Sequence, residues 1–450
     1  LFRSPVEGAN NNEFLTSGTN SDFYTYNESY PGTNTNLAWD PYTTPGSTLV
    51  PGTGYARNQP YVDKTYTLSG TNFNNGTVSV DVYNSGTAPA NGWNLVGNPY
   101  PSAIDAVDFL TANASVIQPT IYFWDDDGTS GGDYDGDDYA TYTLAGETQG
   151  GGGGTSSNGN IAPGQAFFVY AGADAAVDFT NSMRSGLQGV FFKETLTENI
   201  KRLRLHIRNT DENLYNDILI AFSGHTSAQE DQLWDGPKRI GNDHLAFYSL
   251  IGDEKYAIQA LPLDKEEVEI ALGIKIGLAG DNHELVLDEL ENINARSAIY
   301  LVDEYENTEV DLRKNPSYSF TSAAGEFNDR FKLVFQKPET EITVWQGTKS
   351  DDWRNSSNWD NGIPDEYRHA QVLSGIAQID GSFVAGQLTI GQQGAVQFAD
   401  NASPDIKGDV VIQSGESGTG ALLDYSNTEI QSKVERFYAT PQRFYYFSSP

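Results

Sequence analysis

An all-β, multidomain fold is predicted for this 450-residue chain by three features of its sequence. Aromatic residues reach 12%, with 25 Tyr, and glycine is abundant at 45 residues. Short apolar runs alternate with segments crowded with Thr, Ser and Asn. Amphipathic helical periodicity is almost absent. Tyr, Phe, Val and Thr suit a pleated surface, while Gly and Asn suit the tight turns between strands. The length exceeds what one hydrophobic core serves, so several domains are expected.

Residues 1–186 read as an acidic pair of related β-lobes, with 4 basic and 19 acidic residues. An internal repeat carries this reading. FYTYNES (23–29) matches IYFWDDD (121–127), an alternating aromatic strand that runs into polar residues. LVPGTGYA (49–56) matches IAPGQAFFVYA (161–171), in which Pro fixes φ and Gly accepts positive φ at a turn before an aromatic strand. A strand that stops at proline precedes each, LFRSP (1–5) and WNLVGNPYP (93–101).

Residues 187–337 carry longer strands of mixed charge, such as KRLRLHIRN (201–209), NDILIAFS (216–223) and VEIALGIKI (268–276). Leu203, Leu205 and Ile207 alternate with Arg202, Arg204 and His206, the pattern of a strand with one buried face. Seven or more such strands with turns between them indicate a β-sandwich. Lys337-Pro338-Glu339 reads as a linker. Residues 341–432 open on a Trp-rich stretch and continue as short strands whose apolar doublets are followed by Gly or Asp. Such rungs suit a short β-solenoid, with a small sandwich as the alternative. Residues 433–450 read as a terminal strand that pairs with, or continues into, a next unit. Phe447-Ser448-Ser449-Pro450 parallels Phe2-Arg3-Ser4-Pro5, so a repeat close to the chain's own length is expected.

The net charge of −34 and pI near 4.3 argue against nucleic acid and anionic headgroups, because a polyanion repels phosphate. The same charge favours cations, Ca²⁺ above all, or serves to keep an abundant extracellular protein soluble. With no cysteine there are neither disulfides nor thiolate metal sites. No apolar run approaches the roughly 20 residues of a membrane helix, and no membrane insertion is expected. The opening Leu1-Phe2-Arg3, without initiator Met, suggests a piece processed or excised from something larger.

GWNLVGNPYPSAID (92–105), IYFWD, IAPGQAFFV, FTNSMR (179–184), RLRLHI, LVDEYENTEVDLR (301–313) and NDRFKLVF (328–335) together resemble large secreted proteins of Bacteroidota exported by the type IX secretion system. WRNSSNWDNGIPD (353–365) looks like the Trp-rich opening of solenoid-like modules in the same surface proteins. The resemblance covers most of the chain. It implies an extracellular, bacterial cell-surface location upstream of a sorting domain, and it leaves activity open, since such regions accompany adhesins and enzymes alike.

Three sets of residues could carry chemistry or contact. Asp125, Asp126, Asp127, Asp133, Asp135, Asp137 and Asp138 put seven carboxylates within fourteen residues, a density that suits Ca²⁺ and its six to eight oxygen ligands. The EF-hand pattern fails, since its sixth position falls on Asp138 rather than Gly and its twelfth on Leu144. A solvated loop is the other reading. Trp345, Trp353 and Trp359 are candidates to stack on sugar rings, although a hydrophobic cap on the solenoid is favoured. Leu1, Phe2 and Pro5 at one end, and Phe444, Tyr445, Tyr446, Phe447 and Pro450 at the other, are the candidate seam between copies. Gly128-Thr129-Ser130-Gly131-Gly132 formally satisfies GxSxG but lies in acidic loop, without the strand and helix a nucleophile elbow needs. The five histidines are scattered and form no HExxH. No enzyme is therefore expected. The leading expectation is a structural or adhesive repeat unit, assembled head to tail with neighbouring copies. The alternative is a carbohydrate-binding accessory region of a secreted polysaccharide-degrading enzyme, with surface glycans as partners.

Overall fold

Strands supply nearly all regular structure in the computed structural model, which describes residues 4–438 apart from 16–22, 34, 58–64, 126–137, 152–158, 187–199, 210–213, 264–266, 278–279, 337, 339, 427 and 431. The chain forms two compact units, Leu1–Lys337 and Pro338–Pro450.

Unit 1 begins with β1 (Phe23–Tyr26), β2 (Trp39–Pro41) and β3 (Ala56–Arg57), paired in the order β2-β1-β3. There follow β4 (Val78–Val82), β5 (Trp93–Gly97), β6 (Ala103–Asp105), helix α1 (Ala106–Asn113), β7 (Ile117–Asp125), β8 (Asp138–Thr143), β9 (Gly146–Glu147), β10 (Asn160–Ile161), β11 (Ala166–Ala171), β12 (Ala175–Phe179) and β13 (Arg184–Ser185). Five of these make the sheet β5-β11-β7-β8-β9. The two repeat copies pair alike: β1 lies antiparallel between β2 and β3, as β7 does between β8 and β11. Their Pro-Gly turns match as well. Gly52 and Gly164 hold φ of 88° and 74°, and Thr53 and Gln165 donate to the carbonyls of Val50 and Ala162. The copies dock through β5, where Gly54 donates to Leu95 O and Gly97 to Gly52 O.

α1 exists because Asp105 caps it, accepting from Val107 N at 2.8 Å and Asp108 N at 3.1 Å. It buries Phe109 and Leu110 in the second lobe's core.

The large sheet uses β14 (Lys201–Asn209), β15 (Leu214–Ser223), β16 (Gly236–Pro237), β17 (Leu245–Ile251), β18 (Glu254–Pro262), β19 (Val268–Ile276), β20 (Gly280–Glu291), β21 (Ala298–Asp303), β22 (Thr308–Asp311), β23 (Ser317–Ser322) and β24 (Gly325–Gln336). Their order is β22-β21-β24-β19-β17-β18-β15-β14-β20-β23, with β16 beside β18. Leu203, Leu205 and Ile207 of β14 share one core with Leu272 and Ile274 of β19 and with Phe331 and Leu333 of β24. Strands distant in the order thus face each other across that core, which gives sandwich character to a single sheet.

The division expected near residue 186 does not separate compact units. Ala145, Leu219, Trp234 and Ile258 join in one apolar cluster across it. Thr143 Oγ1 donates to Trp234 O at 2.9 Å, and Tyr122 Oη to Pro237 O at 3.0 Å. The arginines of β14 complete the join: Arg202 Nε donates to Ala145 O at 2.6 Å and Arg204 Nη1 to Glu147 O at 2.7 Å. The face of β14 that reads as solvent-directed therefore meets the first region.

Unit 2 contains β25 (Glu341–Val344), β26 (Arg368–Ile379), β27 (Ser382–Ala385), β28 (Gln387–Phe398), β29 (Ser403–Ile406), β30 (Val410–Ile412), β31 (Ser414–Gly415), β32 (Gly418–Thr419), β33 (Ala421–Asp424) and β34 (Ser432–Val434). All described pairings are parallel except the small β31-β32 hairpin and one isolated Trp345–Trp359 bridge. The doublets Ala370/Val372, Leu388/Ile390 and Val410/Ile412 stack in register as successive rungs. This is a β-solenoid, in which each coil buries its inward side chains on the next.

Candidate functional site

Two of the seven loop aspartates lie among the described residues. Asp125 and Asp138 are cross-strand partners at the ends of β7 and β8. Asp126, Asp127, Asp133, Asp135 and Asp137 lie outside the described residues. Asp138 departs from the calcium expectation. Its Oδ2 meets Lys238 Nζ at 2.9 Å and accepts from Asn216 Nδ2, while Oδ1 accepts from Gly241 N at 2.7 Å and Tyr139 N at 2.8 Å. Lys238 and Asp138 are 1% and 0% exposed. This carboxylate's acceptor positions are all taken by the fold. No group of three or more metal-ligating side chains occurs among the described residues.

The three tryptophans are corrected as a sugar platform. Trp345, Trp353 and Trp359 are 3%, 1% and 5% exposed, so no ring face is open to a ligand. Trp353 and Trp359 meet edge to face at 4.7 Å, Trp345 and Trp359 at 5.2 Å, and Trp353 packs on Phe383 at 5.2 Å. Trp345 N donates to Gln371 O and Trp353 N to Gln378 O, which lays this stretch along β26 at the head of the ladder.

Of the seam residues, Leu1, Phe2, Phe444, Tyr445, Tyr446, Phe447 and Pro450 lie outside the described residues. Pro5 is half-buried, and its carbonyl accepts from Asn74 N at 3.1 Å. Val6 bridges to Phe73, whose side chain is exposed. The described histidines are not brought together: His206 pairs with Asp288, His369 with Thr389, and His225 stacks on Trp234.

One cavity stands out in unit 1, a groove of about 460 Å³ among β1, β2, β4 and β5. Its lining includes Tyr26, Asn27, Asp40, Asp81, Tyr83 and Trp93, and no Lys or Arg. Tyr83 is 49% exposed, yet its backbone is pinned. Asn94, itself buried, accepts from Tyr83 N through Oδ1 and donates to Tyr83 O through Nδ2, both at 2.9 Å. Glu28 fixes the following loop, accepting from Ser85 N and Oγ at 2.6 Å and from Gly92 N at 3.0 Å. The Asp81 carboxylate beside Tyr83 raises that phenol above its ordinary value. Behind the groove's Trp93, Arg239 sits over the rings of Trp93, Phe168 and Tyr139 at 3.8, 4.2 and 4.5 Å.

A second perturbed carboxylate lies elsewhere in unit 1. Asp235 is 1% exposed; burial, outweighing the amides of Ala260 and Asp231, pushes it up to about 6. The folded value lies above the unfolded one of about 3.9, so this group's contribution to stability is complete in acid and is lost as pH rises through 6. The expected result is a loss of roughly 2–3 kcal/mol between pH 4 and 6.5, read by urea unfolding and flattened in Asp235→Asn. An unaltered slope in the variant overturns this assignment.

The fold and groove define an all-β, multisheet protein in which a sandwich-containing unit and a parallel solenoid follow one another in the chain. The chain belongs to a family described as a domain of unknown function (DUF8693), whose model matches residues 1–335 and so runs into β24, the last strand of unit 1. Comparison with curated proteins and with solved structures found no match.

Proposed function

We propose that this chain is a structural and adhesive repeat unit of an extracellular bacterial surface protein or filament, joined head to tail to neighbouring copies through strand edges, and that its work is mechanical rather than catalytic. The single observation that carries the reading is the last coil of the solenoid. Among the described residues β34 has a ladder neighbour on one side only, β30, and β33 pairs only with β28. Leu423, Tyr425 and Phe437 nearby are 40%, 58% and 43% exposed. A row of backbone donors and acceptors beside apolar side chains recruits a further strand, because pairing satisfies the amides and covers the apolar surface together. At the first coil, in contrast, the Trp-rich segment folds back beside the end of β25, with Asp360 N donating to Val344 O and Gln346 N to Asn358 O. Type IX export and a bacterial surface location rest on the resemblance of the motifs quoted above. The high negative charge suits solubility outside the cell.

Sedimentation over a concentration series tests the assembly. The expected result is a mass that rises to multiples of 49.2 kDa, with association weakened in Leu423→Glu/Tyr425→Arg, whose exposed positions leave the fold intact. A monomer at every concentration overturns the reading.

A further inference from the structure

We propose that the groove between Tyr83 and Asp40 is a saccharide-binding site, taking one or two units of a neutral, hydroxyl-rich glycan. The proposal goes beyond the structural reading and does not depend on it, since assembly is read by mass and sugar binding by titration.

Three features converge on this ligand class. The first is a presented aromatic ring. A half-exposed tyrosine on a loose loop would lose side-chain and backbone freedom on binding, and that loss opposes affinity. Here Asn94 ties both backbone groups of Tyr83, and Glu28 ties the next turn at Ser85 and Gly92. The backbone that carries the ring is thus fixed in advance, which lowers the entropic cost of presenting an amphipathic surface with only two side-chain torsions of its own. Two buried polar side chains, Asn94 and Glu28, thus fix the backbone on either side of one exposed ring.

The second feature is the polar complement. Asp81 lies beside Tyr83, whose Oη donates to Asp81 Oδ2 at 3.4 Å. Asp40, which also lines the groove, accepts from Asn27 Nδ2 at 2.9 Å through Oδ2. Carboxylates accept strongly from hydroxyl donors, and amide and hydroxyl groups such as Asn27 and Ser29 both donate and accept. Vicinal sugar hydroxyls likewise donate and accept. The lysine and arginine side chains of a basic peptide would use only the acceptors.

The third feature is charge. The lining carries Glu28, Asp40 and Asp81 against one adjoining cation, Arg239 behind Trp93, so the net negative charge disfavours anionic sugars and phosphate. The volume of about 460 Å³ lies within the range of small-ligand sites, and the polar walls suit a wet contact rather than a dry apolar one.

Calorimetric titration of the full chain with neutral hexasaccharides (cellohexaose, mannohexaose, xylohexaose, maltohexaose and laminarihexaose), followed by a printed glycan array, tests the site. Binding of at least one neutral glycan is expected, little changed by 0.5 M NaCl, and weakened at least roughly tenfold in Tyr83→Ala. Asp81→Asn and Asp40→Asn are each expected to weaken it several-fold, and all three variants keep the wild-type melting curve because the positions are exposed. The proposal is overturned if no neutral glycan on the array binds, if affinity survives Tyr83→Ala unchanged, or if hexalysine binds instead and is displaced by salt.

Discussion

Replacing Arg330 with alanine is expected to destabilise unit 1 by about 3–5 kcal/mol, because it strands a buried carboxylate. Arg330 on β24 and Asp303 at the end of β21 are 5% and 1% exposed. Nε lies 3.1 and 3.2 Å from the two Asp303 oxygens, Nη2 lies 2.8 Å from Oδ2, and Nη1 donates to Thr321 O at 2.8 Å. The amides of Tyr305 and Glu306 and the hydroxyl of Tyr318 also donate to the carboxylate, and the guanidinium rests over Phe320 and Phe331. Burial alone pushes Asp303 up, but the Arg330 hydrogen bonds and charge, with the Glu306 and Tyr305 amides, hold it below its ordinary value. A depressed folded value means stability that is present above the unfolded pKa and lost as pH falls through the folded one. Urea unfolding at pH 7 reads the destabilisation, and the acid-side loss attributed to Asp303 disappears in the variant. Arg330→Met/Asp303→Leu, which removes both charges, is expected to recover much of the stability. A loss below about 1 kcal/mol in Arg330→Ala would place this pair with weak surface bridges instead.

Trp353→Ala is expected to cost unit 2 a similar amount, about 3–5 kcal/mol, through lost burial and the cavity left behind. The indole is 1% exposed, holds Trp359 and Phe383 in edge and tilted contacts, and its own carbonyl accepts from Trp359 Nε1 at 2.8 Å. Removing it leaves a cavity at the head of the solenoid and takes from Trp359 and Phe383 the ring they pack against, while the backbone carbonyl that accepts from Trp359 Nε1 stays in place. Scanning calorimetry should show the unit 2 transition falling while the unit 1 transition stays in place. Equal melting of wild type and variant would contradict a core role. The glycan titration is expected to be indifferent to this substitution, which separates the buried tryptophans from the groove.

What was legible in the chain was local and periodic. Leu203, Leu205 and Ile207 announce a strand because side chains alternate at period two, and all three are buried as read. The paired Pro-Gly turns at Gly52 and Gly164 were visible because positive φ favours glycine. The rung residues Ala370, Leu388 and Val410 recur in step with the coils. α1 was missed: one short, capped helix of eight residues makes too few turns to show a period, and Asp105 stands in the sequence only as the last residue of the GWNLVGNPYPSAID motif. Long-range pairing was not legible either. Asp138 sits in a run of aspartates that reads as a cation site, while the lysine it meets is a hundred positions away. The groove escaped for the same reason, since Tyr26 and Trp93 read as strand residues and Asp40, Asp81 and Tyr83 belong to no motif until the fold brings all five to one cavity. The Trp-rich stretch reads as a cap on the solenoid ahead of a sugar platform, and burial of all three rings decides for the cap.

Hydrogen exchange at β34 and β33, measured in dilute and concentrated solutions, tests the assembly through strand edges most directly. Amides of 432–434 and 421–424 should gain protection as concentration rises, by the factor that sedimentation assigns to the associated fraction. Exchange at those strands that is the same in both solutions, while the chain associates, would put the contact elsewhere and contradict assembly through the solenoid edge.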